Sequence, residues 1–120
     1  MSKFPPLNSN QHEVIDAAVV QVKKYLDGLQ AEPVGATVSL CELRRRFSCP
    51  IPTEGTDAVT VVSELAENVS GGLLGCAGGR FYAWVIGGGT PSALAADWMT
   101  ATWDQNAALY ACSPAASVVE

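Results

Sequence analysis

The sequence predicts a mostly α-helical chain with one extended segment. Four stretches carry apolar residues at helical spacing, and only the run Phe81–Ile86 has the aromatic and β-branched composition of a buried strand. Each helical stretch follows a residue type that caps helices: Asn10, Ser39, Thr56 or Asp57, and Thr90. The 120 residues are 48% hydrophobic and 16% charged, which favours a single globular or buried segment, long enough to form a core, over a disordered chain.

The first helix is predicted over 11–30. Asn10-x-x-Glu13 has the pattern of a capping box, and Glu32-Pro33 ends the helix because proline disfavours helical geometry for the residue before it. One face of this helix is apolar: Val14, Ile15, Ala18, Val19, Val22, Tyr25, Leu26 and Leu29. Such a face can pack within the chain or dock on a partner, and the sequence leaves both open.

Two further helices are predicted before residue 70. Ser39-x-x-Glu42 is a second capping box, for a helix over about 40–47 that contains Arg44-Arg45-Arg46. We interpret these arginines as a solvated or carboxylate-pairing face, since the chain is acidic. After a stiff linker with two prolines, a third helix is predicted over 57–69 and stops at Gly71-Gly72.

The last third of the chain has three predicted parts. Phe81–Ile86 is extended and is broken by Gly87-Gly88-Gly89. Thr90 and Pro91 then begin a helix that runs to Trp103, with Leu94, Trp98 and Ala101 on one face. After a short extended run, Ser113-Pro114 repeats the same helix start.

Charge and hydropathy argue against several classes of partner. A net charge of −5 argues against binding to nucleic acid or an anionic membrane surface, because both attract positively charged proteins. No apolar run approaches the roughly 18 residues that a membrane span needs, and the N-terminus has no apolar leader, so we expect a cytoplasmic protein.

The four cysteines have neither zinc-site spacing nor a secretory context, and we expect reduced, mostly buried thiols: Cys41, Cys49, Cys76 and Cys112.

Four motifs at the C-terminal end, taken in order and spacing, resemble a known enzyme family. They are Arg80-Phe81-Tyr82-Ala83-Trp84-Val85, Gly87-Gly88-Gly89-Thr90-Pro91, Ala95-Ala96-Asp97-Trp98 and Tyr110-Ala111-Cys112-Ser113-Pro114-Ala115. Together they resemble the N-terminal part of the group II pyridoxal-phosphate-dependent amino-acid decarboxylases, the aromatic-L-amino-acid decarboxylase-like enzymes. The resemblance is strong over about 72–120 and extends, with weaker motifs, back to about residue 11.

The resemblance implies a fold and an organisation. The chain would be the N-terminal helical segment of a fold-type-I pyridoxal-phosphate-dependent transferase-like (α/β) enzyme whose large-domain sheet is absent. Its parts would be a tail over 1–10, an arm of three helices over 11–70, and a pocket-lining segment with the start of the large domain over 71–120. The complete family member is a homodimer that acts on an amino acid and carries pyridoxal 5′-phosphate, and its N-terminal helices pack across the dimer.

The resemblance also implies a substrate-pocket wall. Trp84, Val85, Ile86 and Gly87 match a segment that lines the side-chain pocket in these decarboxylases. Asn106 to Ala108 match a second lining segment, often contributed to the neighbouring subunit's site. From the sequence alone, Trp84 and its neighbours could equally be core residues. Many members also carry a His-Pro-like pair where this chain has Gly78-Gly79, so the substrate class does not carry over.

The sequence predicts no catalytic, cofactor-binding or metal-binding residue in this chain. Lys3, Lys23 and Lys24 lack the histidine and small-residue context of the family's Schiff-base lysine, and His12 is expected on a helix surface. The triple-glycine turn lacks the lysine and spacing of phosphate-binding loops. We therefore expect catalytic silence and no bound cofactor.

Two features leave room for other readings. Asp97 and Asp104 could share a helix face if the helix continues, although no partner group converges on them. The alternative function is a stand-alone helical dimerisation or interaction module, and a small metal or redox protein built on the four cysteines ranks last.

Overall fold

The computed structural model describes the backbone of residues 9–119 and the side chains of residues 10–119. Within that range the chain forms five helices and no strand, which confirms the prediction of a mostly α fold. The helices are α1 (Ser9–Gly28), α2 (Leu40–Phe47), α3 (Ala58–Asn68), α4 (Pro91–Trp103) and α5 (Pro114–Val119). The chain divides into two compact units, Met1–Ile86 and Gly87–Glu120, which we describe separately.

The start of α1 differs from the sequence prediction. Because the helix already includes Ser9, Asn10 lies inside it and is not its cap. The Asn10 Oδ1 atom is buried and has no hydrogen-bond partner among the described residues, so the predicted capping box is wrong. The helix ends at Gly28, and the amides of Ala31 and Glu32 donate to the Gly28 carbonyl at 2.8 and 3.0 Å to close the turn that follows.

The caps of α2 and α3 were predicted correctly. Ser39 Oγ accepts from the amide of Glu42 at 3.1 Å, and Asp57 Oδ2 accepts from the amide of Thr60 at 3.0 Å. Both side chains therefore satisfy amides that a helix start leaves without partners. The helix α3 ends at Asn68, and in the turn that follows Gly71 has φ +77, a left-handed conformation that favours glycine.

In the first unit α3 packs against both α1 and α2. The apolar faces meet only partly, because no described apolar side chain anywhere in the chain falls in the buried class. The expectation that this length of chain forms a core is therefore wrong for the described residues. Large apolar side chains remain about half exposed or more on all three helices, among them Ile15, Val20, Leu40 and Leu65.

The second unit begins with a well-capped helix. Thr90 Oγ1 accepts from the amide of Ala93 at 3.3 Å and Pro91 occupies the first turn, as the sequence predicts. Asp104 then adopts φ 47, a left-handed conformation that ends α4 at Trp103. Asp97 and Asp104 therefore do not lie on one continuous helix.

The segment between α4 and α5 is a series of turns, where the sequence predicts a short extended run. The amide of Cys112 donates to the Leu109 carbonyl at 2.9 Å, closing one of these turns. The Ser113-Pro114 helix start is confirmed, since Ser113 Oγ accepts from the amide of Ala116 at 3.2 Å. Ser113 is also the one described side chain in the chain that is almost fully buried, at 1% exposure.

The extended segment predicted over Phe81–Ile86 is wrong. The chain turns at its centre, where Trp84 has φ 58 and Val85 has φ 55. The amide of Ile86 donates to the Ala83 carbonyl at 3.4 Å across this turn. A strand satisfies its backbone groups by pairing with another strand, and residues 9–119 contain none, so the segment closes on itself instead.

Candidate functional site

The predicted pocket wall occupies the exposed turn at the end of the first unit. Trp84 is 74% exposed, Val85 is fully exposed and Ile86 is 46% exposed. The Trp84 ring contacts only one aromatic neighbour among the described residues, Phe81, with centroids 5.8 Å apart and planes tilted by 56°. The alternative reading of Trp84 and its neighbours as core residues is therefore wrong.

The backbone of this turn is strained. Two consecutive residues other than glycine adopt positive φ, and one of them, Val85, is β-branched. Each such residue costs about 1–3 kcal/mol, and the surrounding structure must hold it in place. Here the flanking support is slight, since the side chains of Tyr82 and Val85 are almost entirely exposed.

The other predicted pocket residues lie in the second unit. Gly87 has open space around it, with no atom within 4 Å of the position that a Cβ would occupy. Asn106 and Ala108 are exposed in the turns after α4, where Asn106 Oδ1 accepts from the amide of Ala108 at 2.9 Å. The structure thus brings Trp84, Val85 and Ile86 together in one turn, and Asn106 and Ala108 together in another.

The glycine-rich segment before the Trp84 turn is fixed against the end of α1. The buried Gly75 donates its amide to the Pro33 carbonyl at 2.9 Å, and a Cβ at Gly75 would lie 3.1 Å from the Glu32 carbonyl oxygen. Tyr25 donates its hydroxyl to the Leu74 carbonyl at 3.2 Å, and Arg80 Nη2 donates to the Glu32 carbonyl at 2.8 Å. These contacts anchor the base of the turn.

Arg46 joins α2 to the end of α3, a role that the sequence analysis missed. Its Nη1 atom donates to the carbonyls of Asn68 at 3.3 Å and Ser70 at 2.7 Å. These carbonyls lie where a helix leaves acceptors without partners, so a guanidinium there is favourable. Sequence spacing gives no signal for this contact, because it depends on how α2 packs on α3.

Two of the three arginines of α2 pair with Glu42, as the carboxylate-pairing interpretation predicts. Arg45 donates to both carboxylate oxygens at 2.8 Å, and Arg46 Nε donates to Oε1 at 2.9 Å. These hydrogen bonds lower the pKa of Glu42 to about 2. The carboxylate thus bonds to guanidinium groups and not to the Ser39 amide, so Ser39 caps α2 as predicted but the predicted capping box is only half formed.

An open groove of about 520 Å³ lies in the first unit between α1 and α3. Nine residues line it: Gln21, Lys24, Thr37, Val38, Arg46, Ala66, Glu67, Ser70 and Gly71. The lining mixes both signs of charge and contains no aromatic ring, thiol or imidazole. The hydroxyls of Thr37 and Ser70 and the amine of Lys24 therefore have no imidazole in the lining that could activate them as nucleophiles.

The remaining reactive side chains are scattered. Lys23, Lys24 and His12 are exposed on α1, and Lys3 lies outside the described residues. The four cysteines are free thiols, as expected, but Cys41, Cys49 and Cys112 are exposed and only Cys76 is partly buried, so the expectation of mostly buried thiols is wrong. No three His, Cys, Asp or Glu side chains among the described residues lie close enough to hold a metal ion.

Comparison with family models, with curated proteins and with solved structures finds no match for this chain. Its assignment to a family therefore stays a prediction. Among residues 9–119, no helix is both long enough and apolar enough to cross a membrane.

Proposed function

We propose that this chain is the N-terminal part of a pyridoxal-phosphate-dependent amino-acid decarboxylase of group II. The observation that carries the proposal is the series of four motifs between Arg80 and Glu120, in the order and spacing of that family. In the complete enzyme, Trp84, Val85, Ile86 and Gly87 would line the pocket for the substrate's side chain. Asn106 and Ala108 would line the corresponding pocket of the neighbouring subunit in a homodimer. The proposal keeps the cytoplasmic location that the sequence predicts.

The exposure of the apolar side chains supports this reading. Helices α1, α2 and α3 each carry large apolar residues at about half exposure or more, and Leu109 and Tyr110 are 63% and 68% exposed. Exposed apolar surface on this scale is typical of chains that are covered by further protein. A large domain with a sheet, such as the resemblance implies, would provide that cover.

The described residues do not fit pyridoxal phosphate, so we propose that this chain has no activity alone. A lysine that attacks a carbonyl is activated by a desolvating pocket or a cationic neighbour, whereas Lys23 and Lys24 are exposed on α1. No aromatic ring or imidazole lines the groove beside Lys24. The reactive lysine and the phosphate-binding groups would come from chain beyond this sequence.

The second candidate is a stand-alone helical interaction module without catalysis. It is favoured by the exposed apolar residues of α1, Ile15, Val20 and Leu26, and by Trp103 at 62% exposure on the last turn of α4. Such a module would fold by itself and present these faces to a partner.

Near-ultraviolet circular dichroism and light scattering on the purified 120-residue chain separate the two candidates. The decarboxylase proposal expects light scattering from self-association, helical far-ultraviolet signal, weak near-ultraviolet signal and no single cooperative thermal transition of the whole chain, because its tertiary packing is incomplete. A cooperative transition with strong near-ultraviolet bands from the three tryptophans would instead favour the module. Borohydride reduction after addition of pyridoxal phosphate, followed by mass spectrometry, should find no specifically labelled lysine.

A further inference from the structure

We propose that Phe81–Ile86 is a self-association site at which two copies of this chain pair as β-strands. The proposal concerns the isolated chain and does not depend on its assignment to the decarboxylases. It rests on the composition of the segment, its exposure, its strained backbone and the open glycines that flank it.

The segment Phe81–Ile86 has the composition of strands that pair with the same strand of another copy. Its six residues are three aromatic residues, two β-branched residues and one alanine, with no charge, proline or glycine. Segments of six or seven residues with high β propensity, low charge and no proline form intermolecular strand pairs when they are exposed. The net charge of −5 is carried elsewhere in the chain, so two such segments meet without local repulsion.

The structure leaves this segment exposed and weakly held. Tyr82 is 92% exposed, and Trp84 and Val85 project from a turn that is closed by one 3.4 Å hydrogen bond between Ile86 and Ala83. Extension of the segment would release both positive φ angles, which an L residue adopts only at a cost. The backbone conformation and the residue preferences therefore conflict, and pairing with a strand resolves the conflict.

The flanking glycines permit the change. A Cβ at Gly87 or Gly89 would meet no atom within 4 Å, and one at Gly79 would meet only the Gln30 side chain at 3.7 Å. Gly87 and Gly89 are not packed tightly, so the backbone after the segment can rotate without loss of close contacts at these positions. Before the segment, Gly79 has similar room, and the hydrogen bond from Arg80 to the Glu32 carbonyl holds the base of the turn.

A second copy supplies the partner strand that residues 9–119 do not contain. In an antiparallel pair centred on the segment, Tyr82 faces Val85 of the other copy and Phe81 faces Ile86. Aromatic residues opposite β-branched residues stabilise antiparallel pairs. The arrangement has two-fold symmetry, so the same segment of each copy forms both sides of the interface.

Sedimentation equilibrium on the full chain, with amide I infrared spectra, tests the proposal. The wild-type chain should associate as its concentration rises and show the band of intermolecular β structure. Val85→Lys should weaken association by about tenfold, because a charge replaces a β-branched residue in an uncharged strand. Ile51→Lys is the matched control, since Ile51 is 93% exposed but lies between Pro50 and Pro52, which cannot join a strand ladder.

A second variant, Val85→Gly, shows whether Val85→Lys weakens association through the strand itself or through a folding defect. Val85→Gly fits the positive φ of the turn without strain and has low β propensity, so it should also weaken association while the helical far-ultraviolet signal is unchanged. The proposal is overturned by a wild-type chain that stays monomeric or lacks the intermolecular β band. It is overturned equally if Ile51→Lys weakens association as much as Val85→Lys, or if Val85→Gly leaves it unchanged.

Discussion

Arg46 donates a 2.7 Å hydrogen bond to the backbone carbonyl of Ser70, so a side chain of α2 caps the end of α3. The same guanidinium donates to Glu42 on its own helix. In a chain whose described apolar side chains are all at least partly exposed, this polar contact is one of the specific links between elements.

Replacement of Arg46 by methionine should loosen the end of α3. The loss of hydrogen bonds from a charged donor, discounted for partial exposure, should cost about 1–2 kcal/mol. Amide exchange at Ser70 and Gly72, which close the turn after α3, should speed up about tenfold. Arg45→Met is the control: Arg45 pairs with Glu42, has a side chain that is 72% exposed and makes no hydrogen bond to α3 among the described residues. Equal effects of the two variants would contradict the capping role of Arg46.

Replacement of Gly75 by alanine should detach the glycine-rich segment from the end of α1. A Cβ at this buried position would lie 3.1 Å from both the Cβ and the carbonyl oxygen of Glu32, so the backbone must shift, at a cost of about 1–3 kcal/mol. Exchange of the Gly75 and Gly78 amides, both hydrogen bonded in the wild type, should accelerate. Gly79→Ala, which has room for a Cβ, should leave these amides protected, and the account of this segment is wrong if the two variants behave alike.

The Glu42 cluster should make α2 sensitive to acid. Hydrogen bonds from Arg45 and Arg46 lower the pKa of this carboxyl from 4.5 to about 2, so the folded form binds the proton less readily than the unfolded form. The stabilising effect is therefore complete above pH 4.5 and is lost as the pH falls through about 2. A carbon-13 titration of the Glu42 carboxyl should find this low midpoint, and Arg45→Met should raise it. A midpoint near 4.5 in the wild type would mean that the ion pairs do not form in solution.

Tyr25 should resist ionisation. Burial raises the pKa of its hydroxyl, helped by Cys76 and Glu32 nearby, and the hydroxyl donates to the Leu74 carbonyl. Because the folded pKa lies above the usual value of 10.0, the contribution to stability is complete below that pH and is lost as the pH rises through the folded pKa. The difference between ultraviolet titrations of the wild type and Tyr25→Phe gives the midpoint directly. A midpoint at or below 10 would contradict the burial of the Tyr25 hydroxyl.

Local chemistry could be predicted from the sequence where it depends on near neighbours. Ser39, Asp57, Thr90 and Ser113 each accept an amide three residues along the chain, so their spacing suffices to place the helix starts. The cap predicted at Asn10 is wrong because an asparagine followed three residues later by a glutamate looks the same in sequence whether the asparagine caps the helix or lies inside it.

Features that depend on distant parts of the chain could not be predicted. Residues Phe81–Ile86 have strand preferences, but a strand requires a partner that residues 9–119 do not supply, and the segment forms a turn. The Arg46 cap and the packing of Gly75 against Glu32 join residues more than 20 positions apart, and neither periodicity nor capping patterns report such contacts. The predicted pocket residues stay a prediction for the same reason, since a pocket wall is defined by the chain opposite it.

The most direct test of the proposed parentage is to sequence the transcript beyond the codon for Glu120. We expect the reading frame to continue into a large domain that contains a histidine-lysine pair preceded by small residues, the context of the family's Schiff-base lysine. A frame that stops at Glu120 in the mature transcript, or one that continues into unrelated sequence, would contradict the proposal that this chain is the N-terminal part of a decarboxylase.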